Sequence, residues 1–128
     1  MIRHHNPADA PAPFGAFSNG IEVPAEARLL FVKGQIGADP DGGLPDGFEA
    51  QARNAWKNVI AVLRSAGMEA RHLVQVRTHL VRRADYPAFR RIRDGFIGQA
   101  RPASTTLIAE LVDPRWLIEI EAFAAAPK

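Results

Sequence analysis

The sequence predicts an α+β fold in which two helices pack on one face of a single mixed sheet. Two segments repeat apolar residues at helical spacing, three segments alternate apolar with polar residues, and segments rich in glycine and proline separate them. The element order is β-β-α-β-α-β-β. A chain of 128 residues can bury one continuous core, so we expect residues 1–128 to form a single domain.

The amino-terminal part of the chain is predicted to contain two strands. Residues 1–14 are rich in proline and have no periodicity, which indicates an extended arm. Residues 16–20 are predicted to form a brief edge strand. The compact apolar run at 29–32 predicts a buried strand, and residues 39–46 predict a loop because glycine and proline are frequent there.

The clearest helix runs from Phe48 to Leu63, because apolar residues recur there every three or four positions. Asp46 and Glu49 resemble a capping pair at its start. Gly67 supplies the left-handed residue that ends many helices. The apolar residues share one face, so we expect the helix to pack on the sheet through it.

A second helix is predicted to follow Asp85, which caps it, with Pro87 in its first turn. Its inward stripe consists of Tyr86, Phe89, Ile92 and Phe96. Several arginines lie off that stripe or just before the helix: Arg82, Arg83, Arg90, Arg91 and Arg93. The 16 basic and 14 acidic residues leave a net charge of only +2, so this cluster alone does not predict nucleic-acid binding. We interpret it as a solvated helix face.

Residues 72–82, 104–111 and 116–124 alternate apolar and polar side chains and are predicted to be strands. Two helices cover only one face of the sheet, so the other face contacts water or another subunit. That face is expected to mix large apolar groups with charges, which is typical of an oligomer interface with pockets. Its members are Leu29, Phe31, Val81, Leu117 and Phe123 with Lys33, Arg77, His79, Glu119 and Glu121. The alternative is an open, partly apolar face on a monomer.

The composition excludes several classes of protein. There is no cysteine, which excludes disulfides, thiolate zinc sites and cysteine nucleophiles. No apolar run approaches the roughly 20 residues of a membrane span, and we expect a cytoplasmic protein because the first residues lack the apolar stretch of a signal peptide. No cofactor is expected, since there is no phosphate loop and no dinucleotide fingerprint. No metal site is expected either, because His72 and His79 point to opposite faces of one strand.

Four short motifs occur in order along nearly the whole chain. They are residues 33–36 (KGQI), 51–59 (QARNAWKNV), 101–106 (RPASTT) and 118–124 (IEIEAFA). In the same order they resemble the SGQI element, the QA…NV first helix, the Pro-Ala-Arg segment and the terminal IEIEA strand of the Rid/YjgF family. The members of this family are reactive-intermediate (enamine/imine) deaminases, and some carry the label of L-PSP endoribonuclease.

The resemblance implies a chorismate-mutase-like fold and a homotrimer. Three sheets would enclose a central β-barrel, with a small-molecule pocket between adjacent subunits, and this would cover the open sheet face. The family hydrolyses small enamines or imines to ketoacids and ammonia. Its glutamate late in the IEIEA strand holds the attacking water, and this glutamate corresponds to Glu121, the predicted catalytic residue.

The resemblance also assigns substrate-binding positions. The family arginine that grips the substrate carboxylate is Ser104 here, and Thr106 follows on the same strand face. The early tyrosine of the family is Phe17, the serine of SGQI is Lys33, and the second-helix asparagine aligns with Arg90. A serine hydroxyl cannot supply two charged donors, so the sequence does not predict the family's usual hydrolysis of 2-aminoacrylate.

Another cation could replace the missing arginine. The candidates are Lys33, Arg77, Arg90 and Arg101. Strand parity places Lys33 on the same side as Phe31 and Gln35, facing the expected interface. Lys33 and Glu121 either bind a polar ligand and exchange protons, or form an intersubunit ion pair that is only structural. Arg101 would reach the site only if its loop folds back.

Two functions from different classes follow. The first is a divergent hydrolase that acts on a small imine, enamine or related polar metabolite at intersubunit pockets, with a water held by Glu121. The second is a non-catalytic trimeric protein that binds a small molecule or regulates, which the loss of the family arginine favours. RNA binding or endoribonuclease activity has less support, because no stacking aromatics flank the arginine cluster in the sequence.

Overall fold

The computed structural model describes residues 1–128 and confirms a mixed α+β arrangement with two α-helices. The strands are β1 (Arg3–His5), β2 (Gly20–Glu22), β3 (Arg28–Ile36), β4 (Leu73–Leu80), β5 (Ala103–Ile108) and β6 (Ile118–Ala126). The helices are α1 (Phe48–Ser65) and α2 (Tyr86–Ile97). Short 3₁₀ turns, Ala70–His72 and Arg83–Asp85, precede β4 and α2.

The main sheet has four strands in the order β3-β6-β4-β5. Strands β4 and β5 are parallel, and the other neighbours are antiparallel. The expectation of a single sheet that includes a strand at residues 16–20 is wrong, because β2 begins at Gly20 and pairs with β1 in a separate two-stranded sheet. The amino-terminal arm supplies the hydrogen-bonding partner, and the chain before β2 meets the main sheet only at a bridge between Ser18 and Ala103.

Helix α1 packs on the sheet through the apolar face that its spacing predicts, with one polar exception. Gln51 is 2% exposed, and its Nε2 donates to the backbone oxygens of Pro45 (3.1 Å) and Arg115 (3.2 Å). Its Oε1 accepts from the backbone N–H of Leu117 at 2.9 Å. These three bonds join the loop before α1, the helix itself and the chain that enters β6.

A second α1 amide holds the chain that leaves β3. The Nδ2 of Asn58 donates to the backbone oxygens of Ile36 (3.0 Å) and Ala38 (2.9 Å). Between these carbonyls, Gly37 lies directly against the backbone of Gln51. The glutamine and asparagine of the first-helix motif therefore satisfy buried backbone groups and fix the packing of α1.

The start of α1 differs from the expectation. Its N-cap is Gly47, at a φ of 86°, and no side chain caps it, so the pair of Asp46 and Glu49 does not form. Glu49 instead accepts a 2.8 Å hydrogen bond from Arg91 of α2. The end of α1 is as expected, because Gly67 follows it with a φ of 70°.

Helix α2 contains two further differences. Asp85 occupies the N-cap position, but its carboxylate accepts from Arg82 Nε at 3.0 Å rather than from the helix backbone. Arg93 is 4% exposed and does not belong to a solvated face. Its guanidinium lies 5.6 Å from the centre of the Phe89 ring, and its Nε donates to Asp94 at 3.0 Å. An aromatic face and an adjacent carboxylate allow this burial.

A bulge in β3 changes which side chains share a face. The register with β6 shifts between Val32 and Gln35. Gln35 consequently pairs with the buried Ile120 and leaves the side of Phe31, where simple parity puts it. Gln35 is thus turned toward the helices, while Ile36 pairs with Glu119 of the open side.

The face of the main sheet opposite the helices is uncovered in the single chain. Leu29, Phe31 and Phe123 on this face are 60%, 70% and 42% exposed. The rings of Phe31 and Phe123 meet edge to face, with centroids 5.1 Å apart. An apolar cluster of this kind is rare on the surface of a monomer. Neither α1 nor α2 is long and apolar enough to cross a lipid bilayer.

Candidate functional site

The residues singled out from the sequence fall into two groups on opposite sides of the main sheet. The face group lies on the uncovered side and consists of Lys33, Arg77, Glu119 and Glu121. The edge group lies along β5 and the start of α2 and consists of Phe17, Tyr86, Arg90, Ser104 and Thr106. Arg77 was predicted as a candidate cation and Glu119 as a residue of the open face. Tyr86 was predicted only as part of the inward stripe of the second helix, and the others are the predicted site residues.

The register between β4 and β5 separates the two groups. Ser104 pairs with Val76 and Thr106 pairs with Thr78. Val76 and Thr78 are 1% and 0% exposed beneath the helices, so Ser104 and Thr106 share the helix-covered side. Arg77, which lies between Val76 and Thr78 in β4, is exposed on the open side.

Arg77 is the cation that lies beside Glu121. The two are register partners across β4 and β6, and Arg77 Nη1 lies 3.4 Å from Glu121 Oε1. Both side chains are partly exposed, so the pair contributes at most about 1 kcal/mol to folding. The pair lines a shallow depression with Gln75, Ala122 and Phe123. A carboxylate and a guanidinium that face solvent together can hold a water molecule and a polar ligand group.

Lys33 does not pair with Glu121 within one protomer. Its Nζ donates to the backbone oxygen of Gly34 at 3.1 Å, and no carboxylate oxygen lies within 4.0 Å. The side chain is exposed on the uncovered face. The alternatives of a ligand contact and an ion pair between subunits both stay predictions.

Glu119 is a second carboxylate of the face group, and it lies over Gly34 of β3. A methyl group on Gly34 would collide with Glu119 Oε2 and lie 2.9 Å from its Cδ. The Glu119 carboxylate makes no hydrogen bond, and it lines a depression with His79, Glu110 and Glu121. The sequence places Glu119 on the open face, but its contact with Gly34 depends on the β3 bulge, which alternation does not reveal.

The edge group is held together by Ser18. Its backbone N–H donates to the oxygen of Pro102 at 3.1 Å, and its hydroxyl donates to the oxygen of Arg101 at 2.6 Å. Because the hydroxyl proton is used in this way, His4 Nδ1, at 2.8 Å from Ser18 Oγ, is the donor of that bond. These bonds fix Phe17 beside the first residues of β5.

Arg90 connects the Phe17 loop to helix α2. Its Nη2 donates to the backbone oxygen of Phe14 at 3.4 Å, and its guanidinium lies 5.7 Å from the centre of the Tyr86 ring. Tyr86 and Thr106 face each other across a groove that Arg83, Pro87 and Ile108 complete. The spacing of four residues between Tyr86 and Arg90 is the sequence signal that identifies this contact.

Two of the four candidate cations, Arg90 and Arg101, are half-buried and have no carboxylate oxygen within 4.0 Å. Arg101 donates to the backbone oxygens of Gly98 (2.9 Å) and Ala100 (2.7 Å), so it closes the end of α2. Arg77 is paired with Glu121, and Lys33 is exposed. Arg90 is half-buried with no carboxylate oxygen within 4.0 Å.

A family model and two sequence relatives show which proteins this chain resembles. The family model described as "Endoribonuclease L-PSP" matches residues 7–126. A 2-iminobutanoate/2-iminopropanoate deaminase of Rattus norvegicus is 32% identical over 117 residues, which cover 90% of this chain and 83% of that protein. A RutC family protein of Pyrococcus horikoshii is 29% identical over 118 residues, 91% of each chain.

Solved structures share the fold over almost the whole chain. A Rid-family protein of unknown function from Yersinia pestis, YyfB, superposes with a TM-score of 0.83 at 29% identity over 98% of both chains. The Escherichia coli protein TdcF with bound serine superposes with a TM-score of 0.72 at 25% identity, over 97% of this chain and 98% of that chain. By sequence and by fold, this chain belongs to the Rid/YjgF family of endoribonuclease L-PSP-like proteins.

Proposed function

We propose that this protein hydrolyses a small imine or enamine, or a related polar metabolite, at pockets between the subunits of a homotrimer. Two curated relatives at about 30% identity are 2-iminobutanoate/2-iminopropanoate deaminases, from rat and mouse. The observation that supports the proposal most is the pair of solvent-facing carboxylates, Glu119 and Glu121, beside Arg77. We assign the water-holding role to Glu121. A cytoplasmic location is part of the same proposal.

The separation of the two groups argues for a site built from two protomers. The carboxylates of the face group and the guanidinium of Arg90 lie on opposite sides of the main sheet. A small ligand that contacts both would therefore contact two chains. The exposed Leu29, Phe31 and Phe123 support such an assembly, because covering each side chain would contribute roughly 1.5–3 kcal/mol to the free energy of association. Three open faces packed together would form a central barrel.

The reaction needs one group that accepts a proton and then returns it. Water adds to the carbon of the C=N bond and loses a proton to the carboxylate of Glu121. The carboxyl returns this proton to the nitrogen, which gives a tetrahedral carbon that carries OH and NH2. The carboxylate of Glu121 then takes the remaining O–H proton and gives it to the same nitrogen as the carbonyl forms and the C–N bond breaks with its electron pair on nitrogen. Ammonia leaves, and the carboxylate is restored. The sum is imine plus water to ketoacid plus ammonia.

A non-catalytic binding protein is the second candidate. Ser104 stands at the position of the family arginine, so the usual bidentate grip on a carboxylate is absent from β5. The relative TdcF was solved with serine bound, which is consistent with a site that holds a small amino acid. Saturable binding without ammonia release would favour this function.

The test is ammonia release from imines that an amino-acid oxidase generates in solution, with 2-aminoacrylate included and a protein-free control. We expect acceleration by the wild-type protein and a loss of about 100-fold or more in Glu121→Gln. Asp46→Asn, at an exposed carboxylate in the loop before α1, is the matched control and should keep full activity. A loss in Glu119→Gln alone would move the water-holding role to Glu119. No acceleration with any imine would overturn the hydrolase assignment.

A further inference from the structure

The edge group contains a cation without a counter-charge. Arg90 is half-buried in helix α2, yet its single hydrogen bond goes to a neutral carbonyl at 3.4 Å. By contrast, the next residue, Arg91, donates to Glu49 at 2.8 Å. A partly desolvated guanidinium gains most from an anion that two of its N–H groups can reach together.

Aromatic residues lie close to this cation. Phe14 is 75% exposed, and its ring meets that of Phe17 edge to face with centroids 5.0 Å apart. Tyr86 lies under the guanidinium of Arg90. Gly15 lets the loop close tightly, since a methyl group there would lie 3.3 Å from both Arg90 Nη2 and the Phe17 ring. The ring of Phe14 is open to solvent, and the backbone oxygen of the same residue accepts from Arg90.

The neighbouring strand provides room. Ser104 and Thr106 have short side chains and are about 6–7 Å apart along β5, on the side that faces α2. A groove lined by Arg83, Tyr86 and Thr106 is open to solvent, and Tyr86 connects it to Arg90. Arg83 has no carboxylate oxygen within 4.0 Å. The electrostatic character of the groove is therefore positive.

We propose that the edge group binds the carboxylate of its ligand through Arg90 and packs a planar, unsaturated side group of that ligand against Phe14, Phe17 and Tyr86. The preferred ligands are 2-imino or 2-oxo acids with an aromatic side chain rather than short aliphatic ones. This proposal rests on the proposed function for its site. It makes a separate claim about equilibrium binding, which holds or fails independently of turnover.

The experiment measures binding of the stable oxo acids phenylpyruvate and pyruvate to the full-length protein by calorimetry or ligand-detected NMR. We expect phenylpyruvate to bind about tenfold more tightly than pyruvate. Arg90→Gln should weaken the binding of both ligands by roughly 10- to 100-fold. Arg90→Lys should restore part of the lost affinity, because lysine returns the charge but cannot donate two parallel hydrogen bonds. Phe14→Ala should weaken the binding of phenylpyruvate more than that of pyruvate, and so remove most of the preference.

Arg91→Gln is the matched control, since Arg91 is the adjacent arginine and pairs with Glu49. Thermal unfolding of each variant checks that the fold is intact. Equal affinity for the two oxo acids, or wild-type affinity in Arg90→Gln, would overturn the proposal. Binding with the expected preference but without ammonia release from any imine would refute the hydrolase function and keep this binding site. Ammonia release together with equal affinity for phenylpyruvate and pyruvate would do the reverse.

Discussion

Gly37, which follows β3, and Gln51 of α1 touch backbone to backbone. A methyl group on Gly37 would lie 2.5 Å from Gln51 Cα and 2.6 Å from its Cβ, and closer still to its carbonyl oxygen. These distances are shorter than any ordinary carbon–carbon contact. The helix that covers the sheet can approach β3 this closely only because position 37 has no side chain.

We expect Gly37→Ala to lower the free energy of unfolding by about 3 kcal/mol or more, because helix α1 must move away from the sheet. Chemical denaturation monitored by tryptophan fluorescence measures this. Gly95→Ala, where a methyl group meets no atom within 4 Å and φ is helical, is the control, and it should stabilise the protein by up to about 1 kcal/mol. Equal stability of the two variants would contradict the close approach.

We expect the buried side chain of Gln51 to contribute strongly to the free energy of unfolding, although it is polar. Gln51→Ala removes three hydrogen bonds and leaves the backbone groups of Pro45, Arg115 and Leu117 without those partners. The expected cost is roughly 2–4 kcal/mol in the free energy of unfolding. Lys57→Ala, at an exposed position of the same helix, should change it by less than about 0.5 kcal/mol. A cost below about 1 kcal/mol for Gln51→Ala would show that water replaces the amide.

Charge on the open sheet face should block assembly. Phe31→Glu puts a carboxylate in the centre of the apolar cluster, and burying it in an interface would be unfavourable. We expect light scattering to give three times the chain mass for the wild type and the mass of one chain for this variant. Ala61→Glu, on the exposed side of α1, should stay trimeric. A monomeric wild type at micromolar concentration would refute the trimer and the intersubunit pocket together.

Acid should destabilise the fold through His72. Burial, followed by the charge of Arg71, holds the pKa of His72 below 6.5, and its Nδ1 accepts from the backbone N–H of Glu69 at 2.8 Å. The unfolded chain takes up a proton at about pH 6.5, whereas the folded chain does so only at lower pH. Stability is therefore complete above about pH 6.5 and falls as the pH drops toward the folded-state pKa.

The measurement is the free energy of unfolding at about pH 8 and about pH 5.5 for the wild type and His72→Asn. The wild type should lose more stability on acidification than the variant does. An identical loss in both proteins would show that other groups cause the acid sensitivity.

Local periodicity was sufficient to predict the helices and the alternating strand β6. The face of α1 follows from the spacing of its apolar residues, and the buried and open sides of β6 follow from alternation around Ile120 and Glu121. These patterns depend only on residues close together in the chain. For the same reason, the placement of Lys33 and Glu121 on the open side needed no knowledge of their neighbours.

Other features depend on pairing between distant segments. The turn of Gln35 toward Ile120 arises from a bulge in the pairing of β3 with β6. Glu49 of α1 accepts from Arg91 of α2, and Ser18 bonds the chain just before β5. In each case a contact between segments far apart in the chain decides where a polar group goes. Local spacing therefore predicts the face of a side chain better than it predicts the partner of that side chain.

The two outer strands of the main sheet also limit how this protein can aggregate. The register of β3 is interrupted by its bulge, and β5 is short and already contacted by Ser18 at its first residue. Neither strand offers a long, regular row of free N–H and C=O groups to an incoming strand. Growth of fibres by strand addition is therefore disfavoured. Chains can still associate through the uncovered apolar face, where contacts between side chains can be specific and limited in number.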